Sequence, residues 1–225
     1  MEDGNVMIKI LYEDNHLLVV IKPINVPVQE DESKDEDLLT ILKKYIKEKY
    51  NKPGNVYLGL VHRLDRPVGG IMVFAKTSKA ASRLSEQIRI DKFTKTYFAV
   101  VENKPKENEG IFIDKLLKDS KTNIVKVDEN GKLSKLEYEL LNYNDKFNLS
   151  LVKVTLITGR SHQIRVQFSS RNMALYGDQK YNHNSKVGEQ IALFAGHLEF
   201  NHPITNERMT FDEDLPHSIP WNYFN

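Results

Sequence analysis

Apolar and polar positions fall in short blocks along this chain, and the blocks carry two periods. Residues 17–21 (LLVVI) form an unbroken apolar run closed by Lys22-Pro23, which predicts a strand ending in a turn. The next stretch, QEDESKDED at 29–37, has no periodicity and reads as a solvated acidic loop. Leu38, Ile41, Leu42, Tyr45 and Ile46 then repeat at helical spacing until Asn51, Pro53 and Gly54 stop the pattern. Strands are predicted over 56–60 and 71–74. A helix over 79–89 follows, capped by Ser78, with Ala81, Leu84 and Ile88 turned inward. TYFAVV at 96–101 reads as a further strand. From 102 to 145 the chain is polar and rich in turn residues, with strands expected at 124–127 and 136–141. Residues 149–157 make a long strand ended by Thr158-Gly159-Arg160, and SHQIRVQFSSR continues as a helix. Its spacing puts His162, Arg165 and Ser169 on one face and Ile164 with Phe168 on another. A last strand, 192–200, precedes His202-Pro203.

With 225 residues, 40% hydrophobic and 28% charged, the chain has the makeup of a globular protein that buries a real core. No repeat, linker or composition break separates one part from another, so one domain over 1–225 is expected. The formal charge is only +1, so an anionic partner needs basic groups gathered locally. The absence of cysteine excludes disulfides, thiolate zinc sites and cysteine nucleophiles. No stretch approaches the ~20 apolar residues of a membrane helix, and the acidic opening MEDGNVMIKI lacks the features of a signal peptide. A cytoplasmic protein without membrane contact is the expectation, and a monomer, since no coiled-coil pattern appears.

The segment VHRLDRPVGG, 61–70, carries the sharpest chemistry. An apolar run ends on His62, Arg63 and Asp65 beside Gly69-Gly70, which reads as a strand end where a side chain is held while another backbone comes close. Metal is not expected, because His162, His183, His197 and His202 lack ligand spacing. Phosphate-loop and dinucleotide fingerprints are absent, and HRLD differs from a kinase catalytic loop by the inserted Leu64. What remains is one carboxylate, Asp65, flanked by Arg63 and Arg66, and a second basic cluster of Arg160, His162 and Arg165. An aspartate ionised beside a guanidinium serves as nucleophile or base. The same residues also fit a structural ion pair, and Tyr97 alone fits a core aromatic.

Taken in order, YEDNHLLVVIKPINVPVQ, HRLD with Gly70 and IMVFAKT, KTYFAVV, TGRSHQIRVQFSS, ALYGDQKY and ALFAGHLEFNHP resemble the RluA-type family of RNA pseudouridine synthases, over residues 10–211. The resemblance implies an α+β fold with a central, mainly antiparallel mixed sheet divided by an active-site cleft and flanked by helices. It implies that Asp65 is the catalytic carboxylate and Arg63 the arginine that enters the RNA helix where the target base leaves. Tyr97 matches the tyrosine that contacts uracil, Arg165 the basic residue that pairs with the aspartate, and Ile164 a wall of the pocket. Arg66, Arg160 and His162 are expected to face RNA. Many relatives carry an S4-type domain ahead of this region; with the resemblance starting near residue 10, none is expected here.

Two segments depart from the family pattern. Pro67-Val68-Gly69-Gly70 stands where Thr-Ser-Gly is usual, and Phe194-Ala195-Gly196 stands where Leu-His-Ala is common, so His197 is not assigned to the site. The implied reaction breaks the N-glycosidic bond of uridine, turns the base and joins C5 to the same sugar carbon. It needs no cofactor. One carboxylate suffices because uracil is both leaving group and returning nucleophile, whereas glycosidases that activate water use two. Attack of Asp65 on C1′ and proton removal from C2′ both remain open. The base must leave the stack, which costs a few kcal/mol. The expected substrates are ribosomal or transfer RNA; a non-catalytic RNA-binding or ribosome-assembly module on the same fold is the alternative.

Overall fold

The structure, a computed structural model, describes residues 7–224. The acidic start of the chain at 1–6 lies outside them. In chain order the elements are β1 (Lys9–Glu13), β2 (Leu17–Lys22), α1 (Leu38–Lys49), β3 (Gly59–Leu60), β4 (Gly69–Ala75) and α2 (Ser78–Arg89). They continue with β5 (Thr94–Glu102), β6 (Glu109–Asp119), β7 (Ile124–Val127), β8 (Lys132–Asn144) and β9 (Leu149–Leu156). Then come α3 (Gln163–Ser169), β10 (Leu193–Asn201), β11 (Arg208–Asp212) and a 3-10 turn at Trp221–Phe224. Helices and antiparallel strands together make the fold α+β, as expected. Among the described residues no helix is long and apolar enough to cross a membrane. The chain forms two compact units: one runs to Phe93 and adds Leu198–Glu213, the other holds Thr94–His197 and the residues from Asp214 on.

In the first unit β2 lies between β1 and β4, all antiparallel, and β3 also pairs with β4. The register runs from Leu17 opposite Ala75 to Lys22 opposite Gly70. Leu17, Val19, Ile71, Val73, Ala80, Leu84, Phe93, Leu198 and Phe200 build its core. The apolar run 17–20 is unbroken because both faces of β2 are covered. Asp37 caps α1 by accepting from Thr40 N at 3.0 Å, so the end of the acidic stretch is a helix cap. The cap of α2 is Thr77, one residue before the expected Ser78, its hydroxyl accepting from Ala80 N at 3.2 Å. The buried side of α2 is accordingly Ala80, Leu84 and Gln87, with Ala81 and Ile88 only partly covered. Gln87 tolerates that place by exchanging two hydrogen bonds with the Asn201 backbone, each 2.7 Å.

The second unit is an antiparallel sheet in the order β5-β9-β8-β6-β7. Sequence periodicity finds β5, β7, β8 and β9 but passes over β6. The reason lies in its two faces: Ile111 and Ile113 are exposed, while inward of Phe112 and Leu116 the alternate position is Asp114. Asp114 is accommodated by Gln167 Nε2 at 2.7 Å and by an ion pair with Arg171. The helix expected over SHQIRVQFSSR shortens to α3, and its two-faced reading fails. Gln163 through Phe168 are all buried, Arg165 and Gln167 included, while His162 precedes the helix with φ +51°. Polar side chains can sit inward here because Gln163, Arg165 and the amide nitrogen of Gln167 each have a built partner.

Candidate functional site

The first unit holds Asp65 in an irregular segment, not on the strand end that its sequence suggests. β3 covers only Gly59 and Leu60. Beyond it the His62 side chain takes over from backbone pairing: its Nε2 accepts from Val73 N on β4 at 3.1 Å, and its ring meets Phe93 edge-on. Arg63 is exposed, Leu64 buried, Asp65 half-buried. The chain then turns, with Val68 N donating to Asp65 O at 2.9 Å, and enters β4 at Gly69.

Beneath this turn lies a residue that sequence reading treated only as a strand stop. Lys22 is fully buried, and its ammonium donates to Pro23 O at 2.8 Å, Val26 O at 2.7 Å and Arg66 O at 2.9 Å. Three protons meet three carbonyls, so one side chain ties the end of β2 to the residue after Asp65. Burial pulls the Lys22 pKa down to about 7, the negative charge of Asp65 opposes that fall, and Arg66 adds to it. The glycines have an internal reason too. A Cβ at Gly69 would stand 3.1 Å from Ile24 Cγ2 and 3.3 Å from Lys22 O, and Gly70 has φ +130°. The close neighbour that Gly69 admits is this chain's own segment 22–24.

Both flanking arginines face the loop before α1. Arg63 Nη1 approaches Gln29 Oε1 at 3.4 Å. Arg66 bonds Asp31 at 3.3 Å and also pairs with Asp35.

In the second unit Tyr97 is buried on β5 opposite Val154, and Ile164 is buried in α3. Arg165 is held by Asp178 in a side-on bidentate pair, Nε to Oδ2 at 2.8 Å and Nη2 to Oδ1 at 2.7 Å. The Asp178 side chain is fully buried, and its Oδ1 also accepts from the backbone N of Lys180 at 3.0 Å. The Tyr181 ring lies 5.1 Å from the Arg165 guanidinium. Its hydroxyl accepts from Val125 N at 2.9 Å and bonds His162 Nδ1 at 2.6 Å. Gln163 accepts from Thr158 Oγ1 and Arg160 N and donates to Lys135 O, closing the loop before α3. Arg160 is exposed, its Nε donating to Leu133 O at 3.1 Å.

The geometry therefore gathers Arg63, Asp65 and Arg66 in one segment, and His162, Ile164 and Arg165 around one short helix. The second basic cluster is a weaker positive face than the sequence suggests, and Arg171 beyond it adds little. Arg165 and Arg171 are each matched by a carboxylate, Asp178 and Asp114. Among the described residues, no group of three or more histidines and carboxylates is placed to hold a metal ion. The missed residues are Lys22, Asp178 and Tyr181. The signal for Lys22 was a lysine ending a fully apolar run; Asp178 and Tyr181 stand in ALYGDQKY, where spacing alone carries no sign of burial.

The family model described as RNA pseudouridylate synthase matches residues 16–170. This chain belongs to that family. As an RNA pseudouridine synthase of the RluA type it is an isomerase, in agreement with the motifs. It is 33% identical over 209 residues to "Uncharacterized RNA pseudouridine synthase YhcT" of Bacillus subtilis (strain 168), covering 92% of this chain and 68% of that one. It is 32% identical over 233 residues to "Ribosomal large subunit pseudouridine synthase D" of Zymomonas mobilis, covering 97% and 72%. The solved structure titled "Human RNA Pseudouridylate Synthase Domain Containing 1" matches its fold with a TM-score of 0.78 at 22% identity, covering 97% of this chain and 88% of that one.

Proposed function

We propose that this synthase isomerises uridines in structured ribosomal RNA, with Asp65 as its catalytic carboxylate. The observation that carries the reading is the Asp65 turn itself. Asp65 stands in a backbone turn held by Lys22 at Arg66 O and by Val68 N at Asp65 O, with the exposed Arg63 and the half-buried Arg66 on either side. The relatives named as large-subunit synthases C and D support ribosomal RNA as the substrate class. In this reading Asp65 acts on the sugar of the flipped nucleotide; the C1′–N1 bond breaks, uracil turns and joins C1′ through C5, and the C5 proton is released as N1 takes one up. Arg165 supplies a positive charge to the reaction, and Tyr97 contacts the uracil ring. Arg63 fills the space the base vacates, while Arg66, Arg160 and His162 face the RNA backbone. Residues 1–225 act as one synthase domain, a cytoplasmic monomer that needs no cofactor.

The test is tritium release from [5-³H]uridine in unmodified ribosomal and transfer RNA. Release by the wild type and none by Asp65→Asn supports the reading, with RNA binding retained by the variant. RNA binding without release from either substrate by the wild type favours the non-catalytic RNA-binding module. Release from transfer RNA alone keeps the chemistry and replaces the substrate.

A further inference from the structure

Arg63 beside Asp65 is exposed, whereas Arg66 is paired in the free protein with a strongly acidic segment of the same unit. Residues 30–36 hold Glu30, Asp31, Glu32, Asp35 and Glu36 against Lys34 alone, net −4 in a chain whose total is +1. Asp31 and Asp35 both pair with Arg66, and Gln29 reaches Arg63 at 3.4 Å. The segment is held in shape from within. Asp31 Oδ1 accepts from Ser33 N at 2.9 Å and from Ser33 Oγ at 2.5 Å, and Ser33 Oγ accepts from Asp35 N at 3.2 Å. Its far end is pinned to α1, where Glu36 pairs with Lys44 and Asp37 caps the helix.

A solvated loop would explain the composition but not this arrangement, which directs two carboxylates onto one guanidinium. Phosphate oxygens seek the same donors that Asp31 and Asp35 now hold, so the two sets of anions compete for Arg66. We propose that residues 30–36 are an electrostatic strap that RNA must displace from Arg66. The strap rests on the reading of Arg63 and Arg66 as RNA-facing, and it makes the segment a specificity element. An RNA that supplies phosphates in the geometry of both arginines replaces the carboxylates at little net loss. One that merely drifts onto the positive charge meets net −4 and is turned away. The surface pairs are individually weak, so exchange is fast and the strap filters without blocking.

The experiment compares Asp31→Asn/Asp35→Asn with Glu30→Gln/Glu32→Gln. Both remove two negative charges from the segment; only the first removes the partners of Arg66. Two readouts are taken: binding of a fluorescein-labelled mixed-sequence RNA hairpin, and tritium release from unmodified ribosomal RNA with and without that hairpin as competitor. The strap predicts that the aspartate variant binds the hairpin roughly three- to tenfold more tightly at ~0.1 M salt, with the gain collapsing at ~0.5 M. Its release from ribosomal RNA becomes more sensitive to the competitor, and the glutamate variant shows a smaller change in both. Equal gains in the two variants would reduce the segment to bulk charge and overturn the strap. Weaker binding by the aspartate variant would overturn it as well, by making Asp31 and Asp35 supports that aim Arg66 at RNA. If the wild type neither binds RNA nor releases tritium, the functional reading itself falls; release by the wild type with unchanged binding in the variants removes the strap alone.

Discussion

Each unit buries one cation near its candidate chemistry, and the two are satisfied in opposite ways. Lys22 gives its three protons to three neutral carbonyls. Arg165 gives two of its donors to a single carboxylate, Asp178. A carbonyl cradle fixes position but leaves the charge uncompensated at close range, so burial draws the Lys22 pKa down to about 7. A bidentate carboxylate compensates the charge and fixes the plane of the guanidinium at once. The difference teaches what each site is built to hold: in the first unit a backbone turn, in the second a side-chain orientation.

The largest break in this comparison comes from Asp178→Ala. It leaves the Arg165 charge buried without the carboxylate that matches it, and the expected loss of stability is about 3–5 kcal/mol in urea or thermal unfolding. Asp178→Asn keeps the shape and one acceptor and so costs less, while on the role proposed for Arg165 tritium release falls in both because the guanidinium is less well aimed. Lys22→Met is next. It strands three carbonyls at the Asp65 turn, and a loss of about 2–3 kcal/mol follows if part of that cost is relieved by water. Lys22 also gives a pH signature. Its pKa is about 7 folded against 10.5 unfolded, so between those values the unfolded chain binds more protons and wild-type stability rises with pH. Relative to Lys22→Met the gain accumulates from pH 7 to 10.5 and is absent below 7. The Asp65 charge holds the Lys22 pKa up, so Asp65→Asn lowers it further; a ¹⁵N titration of the lysine side chain reads that shift directly.

The contrast also explains which parts were legible in the sequence. Apolar periodicity fixes position only where packing decides it, and β2, α1, β4 and β9 are found because their inward residues are aliphatic. It passes over β6 and misassigns the faces of α3, though not the helix itself, because Asp114, Gln163, Arg165 and Gln167 point inward and bond partners outside their own elements. In the first unit the exposed Arg63 and the half-buried Asp65 and Arg66 sit in one contiguous motif, which makes them legible in the sequence. The buried supports, Lys22 and Asp178, were not, since a lysine before proline or an aspartate after glycine has the same spelling in any surface turn. The acidic stretch shows the same limit. Composition gave its charge, but only geometry shows that Asp31 and Asp35 converge on Arg66.

A buried anion in the first unit sharpens the comparison with the smallest effect. Glu13 at the end of β1 accepts from Lys49 at 2.7 Å, Lys76 at 2.8 Å, Tyr45 at 2.8 Å and Tyr50 at 2.7 Å. Burial by itself would raise its pKa, yet the hydrogen bonds from Lys49, Lys76, Tyr50 and Tyr45 win and lower it to about 2. Like Arg165 it is compensated by opposite charge, but Lys49 is half exposed and solvent screens its share. Glu13→Gln keeps an acceptor for the tyrosines and removes only the ionic part, so a loss of about 1 kcal/mol is expected at neutral pH. The sign follows from a depressed carboxylate. The wild-type advantage is complete above pH 4.5 and is lost as pH falls toward 2, with the two proteins converging in acid unfolding. Added salt shrinks the gap between Glu13→Gln and wild type, whereas it leaves the cost of Asp178→Ala nearly unchanged, because a pair as buried as Arg165 and Asp178 is out of reach of the ions that screen Lys49.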